Sequence, residues 1–214
     1  IQTDIGGREM NNMRFGAIAC VLSLLLVGAT GYAQDLPTAR QGQKLLSSVD
    51  KNTTEIRILR PDLVPEVYQT ALAQAAGLQR YFEALAISPT EGMLGKSGIH
   101  AINFHSAADA HQAAIAGCNK KKLKASKSCV VVAEFLPKGY VSPAAFGLSH
   151  NATVEFTTKY KRSGKSKAFA ISHSTGNWGQ AVKAASPGEA QAAALADCNA
   201  KPGGNGDCVV ISAD

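Results

Sequence analysis

Cys118, Cys129, Cys198 and Cys208 carry the most reactive side chains of this 214-residue chain. Neither pair has finger spacing, and no C-x-x-C or H-E-x-x-H occurs, so a zinc site is not expected. A thiol nucleophile would need a base held beside it. Cysteines that recur in the same order in two stretches of chain instead predict two disulfides. The fifth cysteine, Cys20, sits inside an apolar run near the start and reads as part of a removed signal, and the count of the other four leaves three connectivities open. The histidines add little. His100, His105 and His111 crowd the first half without counterparts in the second, and their spacing predicts no metal site. His105 reads as the flank of a helix cap at Ser106. The glycine-rich stretch Gly203 to Gly206 precedes a strand rather than a helix, so it reads as a turn and not a phosphate cradle. No catalytic, cofactor-binding or metal-binding residues emerge, and no cofactor is expected.

Charge offers a different chemistry. The formal net charge is +6. Lys120, Lys121, Lys122, Lys124 and Lys127 fill the stretch between the first two cysteines. Lys159, Lys161, Arg162, Lys165 and Lys167 form a second cluster. Such patches suit an acidic protein or an anionic envelope surface. Nucleic acid is not expected, because no aromatic platform is interleaved with the basic residues. Trp178 is the one tryptophan. Its place on a glycine turn makes it either a plug at a sheet edge or an exposed recognition residue. The candidate partner surface is therefore Trp178 with Lys120, Lys121, Lys122 and Lys124.

The elements that must hold these residues are repeated. ALAISPTEGMLG (Ala84–Gly95), SAADAHQAAIAGCN (Ser106–Asn119) and CVVV (from Cys129) return as AFAISHSTGNWG (Ala168–Gly179), SPGEAQAAALADCN (Ser186–Asn199) and CVVI (from Cys208). Ser88 aligns with Ser172, Gly92 with Gly176, Gly95 with Gly179, and Cys118 with Cys198. The short apolar runs predict buried strands. The glycines predict a turn into a second strand, GIHAINF (98–104) in the first copy and QAVKAA (180–185) in the second. Ser106 and Ser186 stand at N-cap positions, with Asp109 and Glu189 three residues on. Pro187 suits the first helical position. The alanine-rich helices that follow can lie close to a sheet. Each cysteine pair then staples a helix end to the next strand.

Each copy also has candidate elements upstream. EIRIL (55–59) reads as a strand and residues 62–76 as a helix. Before the second copy, 146–149 reads as a short strand and 152–161 as a helix. The expected fold class is α+β, with two tandem β-β-α-β repeats, each preceded by a strand and helix in the ferredoxin-like order β-α-β-β-α-β. The expected division is 1–33 as read-through plus a removed signal peptide, 34–54 as a loose arm, 55–136 as the first repeat unit, 137–143 as a connector and 144–214 as the second unit.

The signal reading rests on Met10 or Met13 as the start, Arg14, the apolar run Phe15–Val27 and the Gly31-Tyr32-Ala33 site. That run is short for a membrane span. Periplasmic or secreted localisation follows as an expectation, with no transmembrane segment after cleavage. The composition, 45% hydrophobic and 18% charged with 6% aromatic, is that of a globular chain whose core is mainly aliphatic.

The stretch Phe169 to Val210 resembles a family of small secreted bacterial domains of unknown function. Those domains carry a Trp-Gly turn, an Ala-rich helix ending in Cys and a Cys-x-Val-Val strand. The longer arrangement, 55–212, resembles uncharacterised alphaproteobacterial exported proteins, some labelled 5-aminolevulinate synthase. That activity is not expected here. Such a synthase is a much larger pyridoxal-phosphate enzyme with a Schiff-base lysine, and this chain has neither the length nor the motif. The resemblance implies no catalytic residues. The functional expectation is an exported, non-enzymatic binding or interaction module of the cell envelope. The alternatives are an exported enzyme or enzyme inhibitor with a site between the repeats, and a structural envelope protein held by its basic loops.

Overall fold

Two short runs, EALAI and AFAI, lie inside two antiparallel sheets. The computed structural model describes residues 36–47, 54–76, 81–141 and 146–214. The candidate signal segment 1–33 lies outside them. The first sheet has the order β1-β4-β2-β3, with β1 Thr54–Ile58, β2 Glu83–Ile87, β3 Ile99–Ala101 and β4 Val130–Pro137. The second has the order β6-β5-β7, with β5 Ala168–Ile171, β6 Trp178–Ala181 and β7 Val209–Ala213. The helices are α1 Ala39–Leu45, α2 Glu66–Ala76, α3 Ala107–Lys121, α4 His150–Glu155 and α5 Pro187–Asn199. A π-helical turn, Phe156–Tyr160, continues α4.

Strand alternation divides each sheet between two helical layers. Ala84 and Ala86 of β2 pack with Ala110, Ala114 and Cys118 of α3. Leu85 and Ile87 turn the other way, towards Tyr68 and Leu72 of α2. The second sheet repeats the arrangement. Ala168 and Ala170 meet Ala190, Ala194 and Cys198 of α5, while Phe169 and Ile171 meet Ala152, Phe156 and Tyr160. Alanine on both sides of the helix–sheet contact lets these layers approach closely, while the rest of the core is not mainly aliphatic as expected but is filled by buried rings, among them Tyr81, Phe82, Phe135, Phe156, Tyr160 and Phe169.

The duplication reaches the backbone. Ser106 and Ser186 cap α3 and α5 by accepting the amides of Asp109 and Glu189. Register shifts fall at Leu85/Ala86 and at Phe169/Ala170. Asn103 and Lys183, three residues before each cap, have φ of 63° and 58°. The disulfides are Cys118–Cys129 and Cys198–Cys208, with Cα atoms 6.0 and 6.2 Å apart. Beside each, an asparagine accepts the amide of the second cysteine: Asn119 Oδ1 from Cys129 at 3.0 Å, and Asn199 Oδ1 from Cys208 at 3.4 Å. The recurrent Cys-Asn pair therefore ties helix end to strand start twice over, covalently and by hydrogen bond.

Three expectations need correction. The second half lacks its first strand: 146–149 is irregular, and Ser149 caps α4 instead. Gly147 lies so close to His105 that an added Cβ would sit 2.5 Å from the His105 carbonyl oxygen, which pins this segment off the sheet. Beside β7, the amide of Ala213 is accepted by Pro37 O at 3.3 Å. The ferredoxin-like order is thus not repeated in the second half.

The 34–54 stretch is not wholly loose. Thr38 and Gln41 form a capping box for α1, and Ala39 is buried in the core of the second half. Gly42 lets the Phe146 and Phe156 rings come within 3.1 Å of where a Cβ would stand.

The sequence pairing of Gly95 with Gly179 also fails in space. Gly179 lies opposite Ala170, where the first sheet places Ile99 opposite Ala86. A Cβ on Gly179 would run into the Cys198 amide nitrogen and lie 2.6 Å from Ala194 O, both on α5. In the first copy the bulk is exchanged. Ile99 fills the strand side and Gly117 of α3 makes room, 3.3 Å from Ile99 Cγ2 at its Cβ position.

Among the described residues no helix is long and apolar enough to cross a membrane. Residues Asp35–Asp214 make a single compact unit.

Candidate functional site

The two copies meet at His105, which is 1% exposed. Its Nδ1 accepts the Ser149 amide at 3.1 Å. The ring proton therefore sits on Nε2, which donates to Asn177 O at 3.0 Å. One imidazole thus links the first copy, the α4 cap and the turn between β5 and β6. Burial drives its pKa down to about 4, against a smaller opposing effect of the Asn177 carbonyl. Next to it, Gly176 has φ +71°, and a Cβ there would lie 2.6 Å from Asn103 O. Only glycine allows this backbone-on-backbone contact between copies.

That junction sets the turn after β5 against α3. Asp109, Gln112, Ala113, Ala116 and Lys120 recur at helical spacing along one stripe of α3. They face His173, Ser174 and Thr175 of the turn, and Asn205, across a groove of about 390 Å³. His173 Nδ1 lies 3.0 Å from Asp109 Oδ2, a hydrogen bond that crosses the groove. The turn is held from behind. Ser172 Oγ donates to Asp207 Oδ1 at 2.6 Å, and the Ser174 amide donates to Asp207 Oδ2 at 3.1 Å. Thr175 Oγ1 donates to Ser172 Oγ at 2.7 Å, and Asn205 Nδ2 to Ser174 Oγ at 2.9 Å. Burial would raise the Asp207 carboxyl, but the hydrogen bonds from Ser172 and Ser174 outweigh it and hold it below the usual carboxylate range. The result is a fixed array of carboxylate, amide, hydroxyl, imidazole and ammonium groups around a floor of alanine.

The residues singled out from sequence fall in several places. Lys120 lines the groove. Lys121 and Lys124 are exposed, and Lys122 folds back to donate to Ser126 O at 2.7 Å. Trp178 is half-buried, stacked on Phe169 with ring centroids 5.5 Å apart, and Lys201 Nζ lies 5.5 Å from its centroid. Lys167 of the second basic cluster is buried, donating to Lys161 O and Ser163 O at 3.2 and 2.9 Å. His100 and His111 do not converge. His100 pairs with Glu83 at 2.9 Å and His111 with Glu134 at 2.7 Å, on opposite faces of the first sheet. Among the described residues no group of three His, Cys, Asp or Glu side chains could hold a metal ion.

His173, Ser174, Thr175 and Gln112 carry no motif in the sequence, Asn205 reads there only as part of a turn, and Asp109 only as a residue of a helix's first turn. One signal could have found them. The matched turn reads SPTEG in one copy and SHSTG in the other, so His173 stands where the first copy has Pro89. All three positions between the shared serine and glycine differ, and in the second copy they carry His173, Ser174 and Thr175. No family model, curated protein or solved structure matches this chain.

Proposed function

We propose that the protein is an exported, disulfide-stapled binding module that holds a small polar ligand in the groove between α3 and the β5–β6 turn. The observation that carries this reading is the groove itself. Its volume of about 390 Å³ suits a small molecule, and both copies supply its polar lining. The two disulfides fit maturation outside the reducing cytoplasm. Half-burial of Trp178 against Phe169 favours the groove over a flat patch centred on that ring.

The test is native mass spectrometry of protein purified from its own envelope fraction, compared with an Ala113→Trp variant that fills the groove. A small-molecule adduct on the wild type and its loss from the variant is the expected result. An equal adduct on both would move the ligand elsewhere.

A second reading, an exported enzyme, has one observation of its own. Asp109 bonded to Nδ1 would orient His173 and leave Nε2 facing the groove as a base. Turnover of the bound molecule by wild type but not by His173→Ala would favour it.

A further inference from the structure

A separate surface lies where β2 ends and β4 begins. Ile87 pairs with Val130, so loops 88–98 and 122–129 leave the sheet at the same end. They are locked side by side. Glu91 Oε1 accepts the Leu123 amide at 2.9 Å, and Thr90 Oγ1 accepts the Lys127 amide at 3.1 Å. Ser88 Oγ donates to Lys127 O at 2.9 Å. The Cys118–Cys129 disulfide closes the base. On this rigid end Leu94 is 83% exposed and Leu123 69% exposed.

A single exposed leucine is ordinary. Two of them among unpaired lysines are a different matter. Lys96, Lys120, Lys121, Lys124 and Lys127 are all exposed. None of these forms an ion pair among the described residues, where the lysines that do are Lys159, Lys167 and Lys201. Glu91, the one acid in either loop, is occupied: Ser126 and the Leu123 amide hold its carboxyl below the usual range. The second copy, built on the same β-β-α-β plan, has nothing comparable. Its tryptophan is stacked inward, and its α5–β7 loop carries Lys201, folded over that ring, and Asp207. The feature is therefore an addition to the repeat and not a consequence of it.

We propose that this end of the first copy docks on an anionic phospholipid bilayer. Leu94 and Leu123 enter the boundary between headgroups and acyl chains, and the lysines meet the phosphates. An acidic protein could engage the lysines, but hydrocarbon is what accounts for the leucines.

The test is flotation of the purified, oxidised protein with vesicles of phosphatidylcholine alone or mixed with phosphatidylglycerol. Binding should require phosphatidylglycerol. Lys121→Ala with Lys124→Ala should weaken it about thirtyfold, at about fivefold per lysine. Leu94→Ser with Leu123→Ser should weaken it at least tenfold, with the circular dichroism spectrum unchanged. Equal flotation by the leucine variant would show that the leucines do not enter the bilayer and would overturn the proposal. Failure of the wild type to float with anionic vesicles would overturn the proposal, as would equal binding to phosphatidylcholine alone. None of these variants touches the groove floor, so the groove reading stands or falls separately.

Discussion

His105 makes the stability of the whole unit depend on pH in a way that can be calculated. The folded ring has a pKa of about 4, depressed by burial, whereas an unfolded chain has histidine near 6.5. Between those values the unfolded state binds a proton that the folded state refuses. Stability therefore rises with pH across this window. The His105 contribution is fully present above about pH 6.5 and is lost as pH falls towards 4. At about 1.36 kcal/mol per unit, lowering the pH from 7 to 4.5 should remove about 2 kcal/mol through this one residue. The assay is urea unfolding at both pH values, for wild type and for His105→Gln. Glutamine keeps one donor and one acceptor but does not titrate. The variant should be less stable at pH 7, because its amide cannot reproduce both bonds to Ser149 and Asn177. Its loss on acidification should be smaller than that of wild type by about 2 kcal/mol. Equal losses would show that His105 is not held neutral by burial, and the argument for it as the joint between copies would fail.

Two other perturbations test the packing. Gly179→Ala pushes a methyl into the α5 backbone at Ala194 and Cys198, and should cost about 3 kcal/mol in a thermal melt. Gly188→Ala, in the same half but with open space around it, should be neutral or stabilising by about 0.5 kcal/mol. Replacing Cys198 and Cys208 together by serine should destabilise by about 3 kcal/mol, the loop-closure value for a separation of 10 residues. The same value applies to Cys118 and Cys129. Denaturant midpoints of the two double variants check both, and intact midpoints would show that the staples are dispensable.

Much of this architecture was legible because the sequence states it twice. A Cys pair, a serine cap and an alanine helix are each ambiguous alone. Their recurrence in one order leaves two disulfides and a β-β-α-β plan as the economical reading, and both are present. The features that are not legible in the sequence depend on contacts between distant segments. The helix α1 is polar in sequence because only Ala39 and Gly42 of it are buried. The irregular 146–149 segment has the composition of a short strand, but its place is set by the close approach of Gly147 to His105. Gly179 aligns with Gly95 in sequence but with Ile99 in space, because helix–sheet clearance, not position in a turn, requires it. The groove was invisible for the same reason. Asp109 and His173 are 64 residues apart, and nothing local to either announces the other.

The central claim is that the groove between α3 and the β5–β6 turn is where a small polar molecule binds. The most direct measurement is a two-dimensional amide NMR spectrum of labelled protein, recorded before and after adding the low-mass filtrate of the cell-envelope extract. The account predicts shifts confined to His173, Ser174, Thr175, Asn205 and the Asp109–Lys120 stripe of α3, and their disappearance in Ala113→Trp. Shifts clustered elsewhere, or a spectrum unchanged along both walls of the groove, would contradict it.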